Sequence, residues 1–557
     1  MLKNNIIIML KNNYIIILLL AVILTSCEAE LEKDPLDQFA SETFWQDEND
    51  ALLALTGVYR GTMNINSPSV NLTDWWSYTG VMFLEFASDN AFDRRGVNAP
   101  THRLSNGTNT ATNGFVSSAW QASYRKIARS NDFLENIESV SMEESKKARF
   151  SGEVKVIRAV QYFNLAQYWG AVPFVTGTIT PEEANTITRT SKDEVMQFVI
   201  DELRSAASVL PTHGELPSGQ MGRLTRQAVL GYLGRALLAE DLFPEAAIVY
   251  KEIIDLGENI IDPDYSSIFT VANENSDEII FSAQYVENEA SNSMFQHMWP
   301  AVLGGWHIFN PLGDLVMSYE FIDGTPFSHT DPRYDPKNEA ANRDPRLDYT
   351  ILFNGEGLTP TTRYITHPDS TSSPDQLGAG KQATQTGYGI EKMMDFNFTG
   401  GLRNSGANMP IIRYAEVLLS YLEAKLETGD PIDQGLLDAT INQVRGRASV
   451  NMPPITTTDP NELRTILRNE RRVELAFEGL RYWDLLRWGT AETKLSGAFY
   501  GAPFPDAERM QTQDGEPHPF DRWYVMTRNF RAQVDYLWPI PQNEVSINPN
   551  LEQNPGY

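Results

Sequence analysis

"LGYLGRALLAEDLFPEAAIVYKEI", Leu230 to Ile253, decides how this 557-residue chain folds. Leu230, Leu233, Gly234, Leu237, Ala246, Tyr250 and Ile253 fall in one register of the tetratricopeptide pattern, in which two antiparallel helices interlock. Gly234 and Ala246 are the informative positions, because small side chains there let two helix backbones approach closely. Such a hairpin cannot bury its apolar face alone, so neighbouring hairpins are expected to stack on it.

Neighbouring segments supply the partners. "RAVQYFNLAQYWG" puts Val160, Phe163, Leu165 and Tyr168 close to one broad stripe and stops at Gly170. "IIRYAEVLLSYLEAKL", "LLDATINQVRGRA" and "NELRTILRNERRVELAFEGLRYWDLLRWG" read as looser helical pairs. Between these blocks, residues 61–118 and 352–408 are rich in Asn, Ser, Thr, Gly and Pro without a sustained period, and read as loops. "EIIFSAQYV" is a short strand by the same reasoning. The fold class is mainly α: tetratricopeptide-like helical hairpins as scaffold, with a large loop-rich binding side. Because helices are scattered from end to end, residues 27–557 read as a single discontinuous domain. Its N-terminal part (about 27–330) and C-terminal part (about 331–557) are intertwined.

Composition sets the outer limits. Hydrophobic residues make up 41% and aromatics 11%, enough for a large buried core. With 73 acidic against 45 basic residues and a net charge of −28, the chain repels phosphate backbones, which excludes nucleic acid as an expected partner. The single cysteine, Cys27, cannot form an internal disulfide. It follows "NNYIIILLLAVIL", an apolar run too short to span a bilayer, preceded by a lysine in the layout of a secretory signal. Leu24-Thr25-Ser26-Cys27 resembles the bacterial lipobox. That resemblance makes residues 1–26 a lipoprotein signal peptide and Cys27 the lipid-attachment site, with translation starting at Met1 or Met9. Glu28, Glu30, Glu32 and Asp34 resemble the acidic signal that exports such lipoproteins to the cell surface; a solvated leash explains them equally.

Enzyme motifs are poor. The seven histidines are scattered without metal-ligand spacing, so no metal site is indicated, and no GxSxG elbow, P-loop or dinucleotide fingerprint occurs. Glu470, Glu474 and Glu478 share one helical face, but catalytic carboxylates flank a sugar from separate segments; pairing with Arg471 or Arg481, or plain solvation, is the expected role.

Nine stretches together resemble the SusD/RagB family: "FWQDENDALLALTGVYRG", "YRKIARSNDFLENI", "RAVQYFNLAQYWGAVPFV", "YEFIDGTPF", "NRDPRL", "PIIRYAEVLLSYLEA", "INQVRGRA", "ELAFEGLRYWDLLRWG" and the terminal "YLWPIPQNEVSINPNLEQNPGY". The resemblance implies a lipid-anchored protein of the outer membrane, facing the exterior, that binds oligosaccharide and delivers it to a SusC-like TonB-dependent transporter. It implies no cofactor and no catalytic residue. Peptide import on the same architecture and a surface glycoside hydrolase are the alternatives. Family-motif charges, Arg158, Arg413, Glu416, Arg445, Arg447, Arg481 and Asp484, are expected to pair and fix how helices meet, Arg with Asp foremost.

Sugar binding asks for aromatic faces and polar groups beside them. "NLTDWWSYTG" places Trp75, Trp76 and Tyr78 beside Asn71 and Asp74, and "MWPAVLGGWHIFNP" adds Trp299 and Trp306 as a second wall. These seven are the expected glycan-binding residues. Each tryptophan has a structural alternative as a core residue.

Overall fold

The structure is a computed structural model that describes residues 44–60, 74–378 and 382–557. Eight long helices run in chain order: α1 (Glu48–Arg60), α2 (Gly114–Asn136), α3 (Glu144–Trp169), α4 (Lys192–Ala207), α5 (Arg226–Ala239), α6 (Phe243–Leu256), α7 (Tyr414–Thr428) and α8 (Pro460–Glu474). Local chemistry fixes their ends. Side chains of Asn113, Ser191, Thr225 and Asp459 cap α2, α4, α5 and α8 by accepting first-turn N–H groups. Gly257 and Gly429 close α6 and α7 in the left-handed region.

From α2 to α8, each helix packs on the next, so the scaffold is one continuous stack. The hairpin read from the sequence is its centre. All seven pattern residues are buried, and a Cβ added at Gly234 would lie 2.3 Å from Cζ of Tyr250. That contact is why the position is glycine. The chain between α6 and α7, residues 257–413, loops out of the stack and returns through β2 (Ile279–Ala283) paired antiparallel with β4 (Met409–Arg413). Two further ribbons, β1 (Ala91–Asp93) with β3 (Phe309–Pro311) and β5 (Gly497–Pro503) with β6 (Arg522–Arg528), organise the loop side. One hydrophobic core extends from Ala51 to Leu551 and ties both sides together.

The segment "NELRTILRNERRVELAFEGLRYWDLLRWG" is split into α8 and α9 (Arg481–Arg487) at a turn where Phe477 takes φ 64°. Its glutamates depart from expectation. Glu470, Glu474 and Glu478 do not pair with Arg471 or Arg481, and they are not solvated. They are buried against Arg346, Arg413, Arg445, Arg447 and Lys392, contributed by distant segments. Among the family-motif charges, Arg481 does pair with an aspartate, Asp89. Arg158 instead holds Glu202, and Arg235 holds Glu416. These pairs lock neighbouring helices in register.

Candidate functional site

The Trp75–Trp76 segment lies in the core. Adjacent side chains point apart: Trp75 stacks on Tyr168 (5.5 Å between centroids) and donates Nε1–H to Ser123 Oγ at 2.9 Å. Trp76 meets Phe281 edge-on and donates to the Tyr232 hydroxyl at 2.7 Å. Asp74 is buried in an ion pair with Lys126 (2.8 Å), whose ammonium also lies over the Trp76 ring. Tyr78 is buried with its hydroxyl on His297 Nδ1 at 3.1 Å. None of these groups offers a face to solvent, which corrects the expectation drawn from the polar character of the segment. Trp299 is likewise buried, against Phe295 and Phe396. Among the expected residues that the structure describes, only Trp306 is half-exposed, 5.1 Å from His297 and overlain by the Arg403 guanidinium. Asn71 and Cys27 lie outside the described residues.

Exposed aromatic surface occurs elsewhere, where three loop segments meet. Phe327, His329 and Tyr334 come from one loop, Tyr500 from β5, and His518, Phe520 and Tyr524 from the approach to and start of β6. His329 and Phe520 stack almost parallel at 4.0 Å, and ring contacts continue to Phe327, Tyr334, His518, Tyr500 and Tyr524. Phe520 is 37% exposed and the other six are half-buried. Pro517 and Pro519, either side of His518, restrict the backbone that presents these rings, which lowers the ordering cost of presenting them.

Beneath the strip one buried arginine sets the geometry. Arg522 donates Nε–H to His329 Nε2 at 3.0 Å, Nη1–H to the Tyr388 hydroxyl at 3.1 Å and Nη2–H to Glu339 at 2.6 Å. Partial burial first, and then the charge of Arg522, push the His329 imidazole down to about 4. At neutral pH the ring is therefore uncharged, with Nε2 accepting from Arg522 and Nδ1 carrying the proton.

Glu339 also lines a cleft of about 550 Å³, which places strip and cleft side by side. Phe353, Tyr388 and Phe504 supply its apolar wall; Asn338, Asn354, Arg363 and Glu356 supply polar groups. Burial, reinforced by Asp348 and Glu391, pushes Glu356 up to about 8 despite the hydrogen bond it accepts from Phe353 N–H. Glu356 thus keeps its proton at neutral pH and can both donate and accept. Asp348, beside Glu356 in the cleft lining, is itself pushed up by burial. Among the described residues, no group of three or more His, Cys, Asp or Glu side chains is placed to hold a metal ion. Nor is any helix long and apolar enough to cross a membrane.

The strip escaped the sequence reading because its rings are contributed by segments nearly two hundred residues apart; the signal available was "EPHPFDRWY", a proline-stiffened aromatic run.

The sequence and the helical fold have relatives among known proteins. The SusD family pattern matches residues 277–557, and a pattern described as "starch-binding associating with outer membrane" matches residues 64–238. A solved SusD-like carbohydrate-binding protein from Bacteroides fragilis is 45% identical, covers 92% of this chain and all of its own, and superposes with a TM-score of 0.88. A second SusD-like structure from B. fragilis is 27% identical over 94% of this chain and all of that one, with a TM-score of 0.78. By sequence, SusD-like protein P2 of Formosa agariphila is 26% identical over 97% of this chain and 98% of its own length. The chain belongs to the SusD family.

Proposed function

We propose that this protein binds oligosaccharide on the strip and cleft of its loop side and hands it to a SusC-like TonB-dependent transporter in the outer membrane. The observation that carries the reading is the solvent-facing strip of stacked rings, Phe520 with His329 foremost, adjoining a cleft with a proton-bearing Glu356. Pyranose C–H faces stack on such rings, and hydroxyls replace their water on Asn, Arg and carboxyl groups. Similarity to a relative described as carbohydrate-binding supports it. Acylation of Cys27 would tether the chain to the membrane with this side free, and two or more acyl chains suffice for stable anchoring.

Affinity gels cast with a panel of glycans, run beside a reducing-end assay, test the reading. The purified chain from residue 28 onward is expected to be retarded by at least one glycan without releasing new ends. Phe520→Ala is expected to lose that retardation while keeping its fold. New reducing ends would identify a hydrolase, and retention by peptides with indifference to every glycan would identify peptide cargo. For the partner, affinity purification of the acylated chain from outer membranes is expected to bring down a large barrel protein.

A further inference from the structure

A groove of about 380 Å³ on the helical side shares no residue with the strip or the cleft. Tyr124, Arg125 and Ala128, on one face of α2, form one wall; Ile179 and the C-terminal Ile547 and Leu551 form the other. Most of the lining is apolar, and Ile547 and Ile179 are 61% and 39% exposed. Exposed apolar side chains gathered over a concavity mark a docking surface. The walls are fastened before anything binds: the Tyr124 hydroxyl donates to Pro173 O at 2.7 Å, and Asn548 donates Nδ2–H to Ile187 O at 2.8 Å. A groove held this way needs little ordering to receive an extended segment.

The chain's own N-terminal leash starts within reach of it. The described chain begins at Phe44, and Trp45 meets Phe133 of α2 edge-on at 5.5 Å. From Phe133 back along α2 to Tyr124 is nine residues, about 14 Å. An extended chain covers about 3.3 Å per residue, so Phe39 reaches about 17 Å from Phe44 and Leu36 about 26 Å, enough to bring both onto the groove. "DPLDQFA", Asp34 to Ala40, has the chemistry that the lining asks for. Leu36 and Phe39 match its apolar walls, Asp37 matches Arg125, the one cation of the lining, and Gln38 brings an amide donor for Glu544, the one carboxyl, which burial pushes up. Residues 28–43 carry six acids against Lys33 alone, and the exposed Arg125 and Arg129 of α2 present the opposite charge beside them.

We propose that residues 34–40 of the leash dock in this groove, parallel to α2, with Leu36 and Phe39 against the apolar lining and Asp37 on Arg125. Only residues 28–33 then stay free. The spacer between Cys27 and the folded body shortens from sixteen residues to six, or from about 53 Å to about 20 Å when extended. With Cys27 acylated as proposed above, docking also fixes which face of the helical stack turns to the membrane, because the tether leaves from one point on α2 and does not swing about Phe44.

Disulfide trapping in the chain from residue 28, which has no cysteine of its own, tests this. Gln38→Cys with Ile547→Cys is expected to close an intramolecular disulfide at least about tenfold faster than Gln38→Cys with Leu53→Cys. Leu53 is the stringent control: it is 63% exposed on α1 and far nearer in sequence, so an undocked leash would favour it. In the native chain, amide hydrogen exchange over residues 36–40 is expected to be at least about tenfold slower than in a free peptide of that sequence, and Phe39→Asp to lose the protection. Equal rates for the two cysteine pairs, or exchange as fast as in the free peptide, overturns the proposal. So does a disulfide that joins two chains, which would give the groove to a second copy. Protection of the groove only when the chain is extracted together with a membrane barrel overturns it in favour of that partner. Glycan retention is read separately at the strip and cleft, so neither result stands or falls with the other.

Discussion

Replacing Glu474 by glutamine keeps its shape and removes its charge from the centre of the scaffold. Glu474 is fully buried; its carboxylate accepts from Arg447 at 2.6 Å and from Arg413 and Arg346 at 3.0 Å. Burial alone would raise this carboxyl, but the guanidiniums of Arg447, Arg413 and Arg346 override it and hold Glu474 down at about 2. Against an unfolded value of 4.5, that depression corresponds to about 3 kcal/mol of stability. An independent route gives the same size, since removing one partner of a buried ion pair typically costs about 3–5 kcal/mol. The sign follows from the direction of the shift. A depressed carboxyl contributes fully above pH 4.5, and the contribution disappears as pH falls from there toward 2. Urea unfolding followed by tryptophan fluorescence is therefore expected to show Glu474→Gln less stable by about 3 kcal/mol at pH 7. The gap should narrow as the pH is lowered below 4.5. Glu48→Gln, which breaks only the exposed pair with Lys146, is expected to change nothing measurable. A loss below about 1 kcal/mol at pH 7, or one that stays constant down to pH 3, would refute the assignment of Glu474 as the charge that compensates three arginines.

Three further outcomes follow from the same physics. Gly234→Ala must displace the buried Tyr250 ring, at about 1–3 kcal/mol for overpacking, against a gain of about 1 kcal/mol in helix propensity. Calorimetry should show a lowered melting temperature for it and a raised one for Gly57→Ala, where an added Cβ meets nothing within 4 Å; the opposite order would refute the close-approach argument. His297, held at about 3, is expected to show imidazole NMR shifts that do not move between pH 7.5 and 4.5; since its unfolded value is 6.5, the stability gained by burying it neutral declines as pH falls below 6.5. An ordinary titration near pH 6.5 would disprove its burial. Trp76→Ala is expected to unfold at lower urea with glycan retention unchanged while folded, the reverse of Phe520→Ala; equal effects on retention would return Trp76 to the binding surface.

How far the sequence is legible depends on whether a residue's environment is local. Gly234 and Ala246 could be read because close helix approach is decided within one hairpin, and both are buried as that reading requires. The shared face of Glu470, Glu474 and Glu478 was equally local, but its partners were not. Arg346, Arg413 and Arg447 arrive from other segments, so spacing alone could not separate a solvated face from a buried one. The tryptophans fail for a related reason. "NLTDWWSYTG" looks polar, yet Asp74 is neutralised by Lys126 and both indole N–H groups find partners far along the chain, which makes burial of the two largest rings favourable. A core that needs large apolar volume takes tryptophan first, because each buries the most area. The rings left for a ligand are then the smaller ones on loops, and these face outward only where a buried anchor holds the loop. Here Arg522 is that anchor, joining His329, Tyr388 and Glu339, which lie 134 to 193 residues before it in the sequence. The binding side is thus written in a buried arginine whose partners become visible only once the loops are folded.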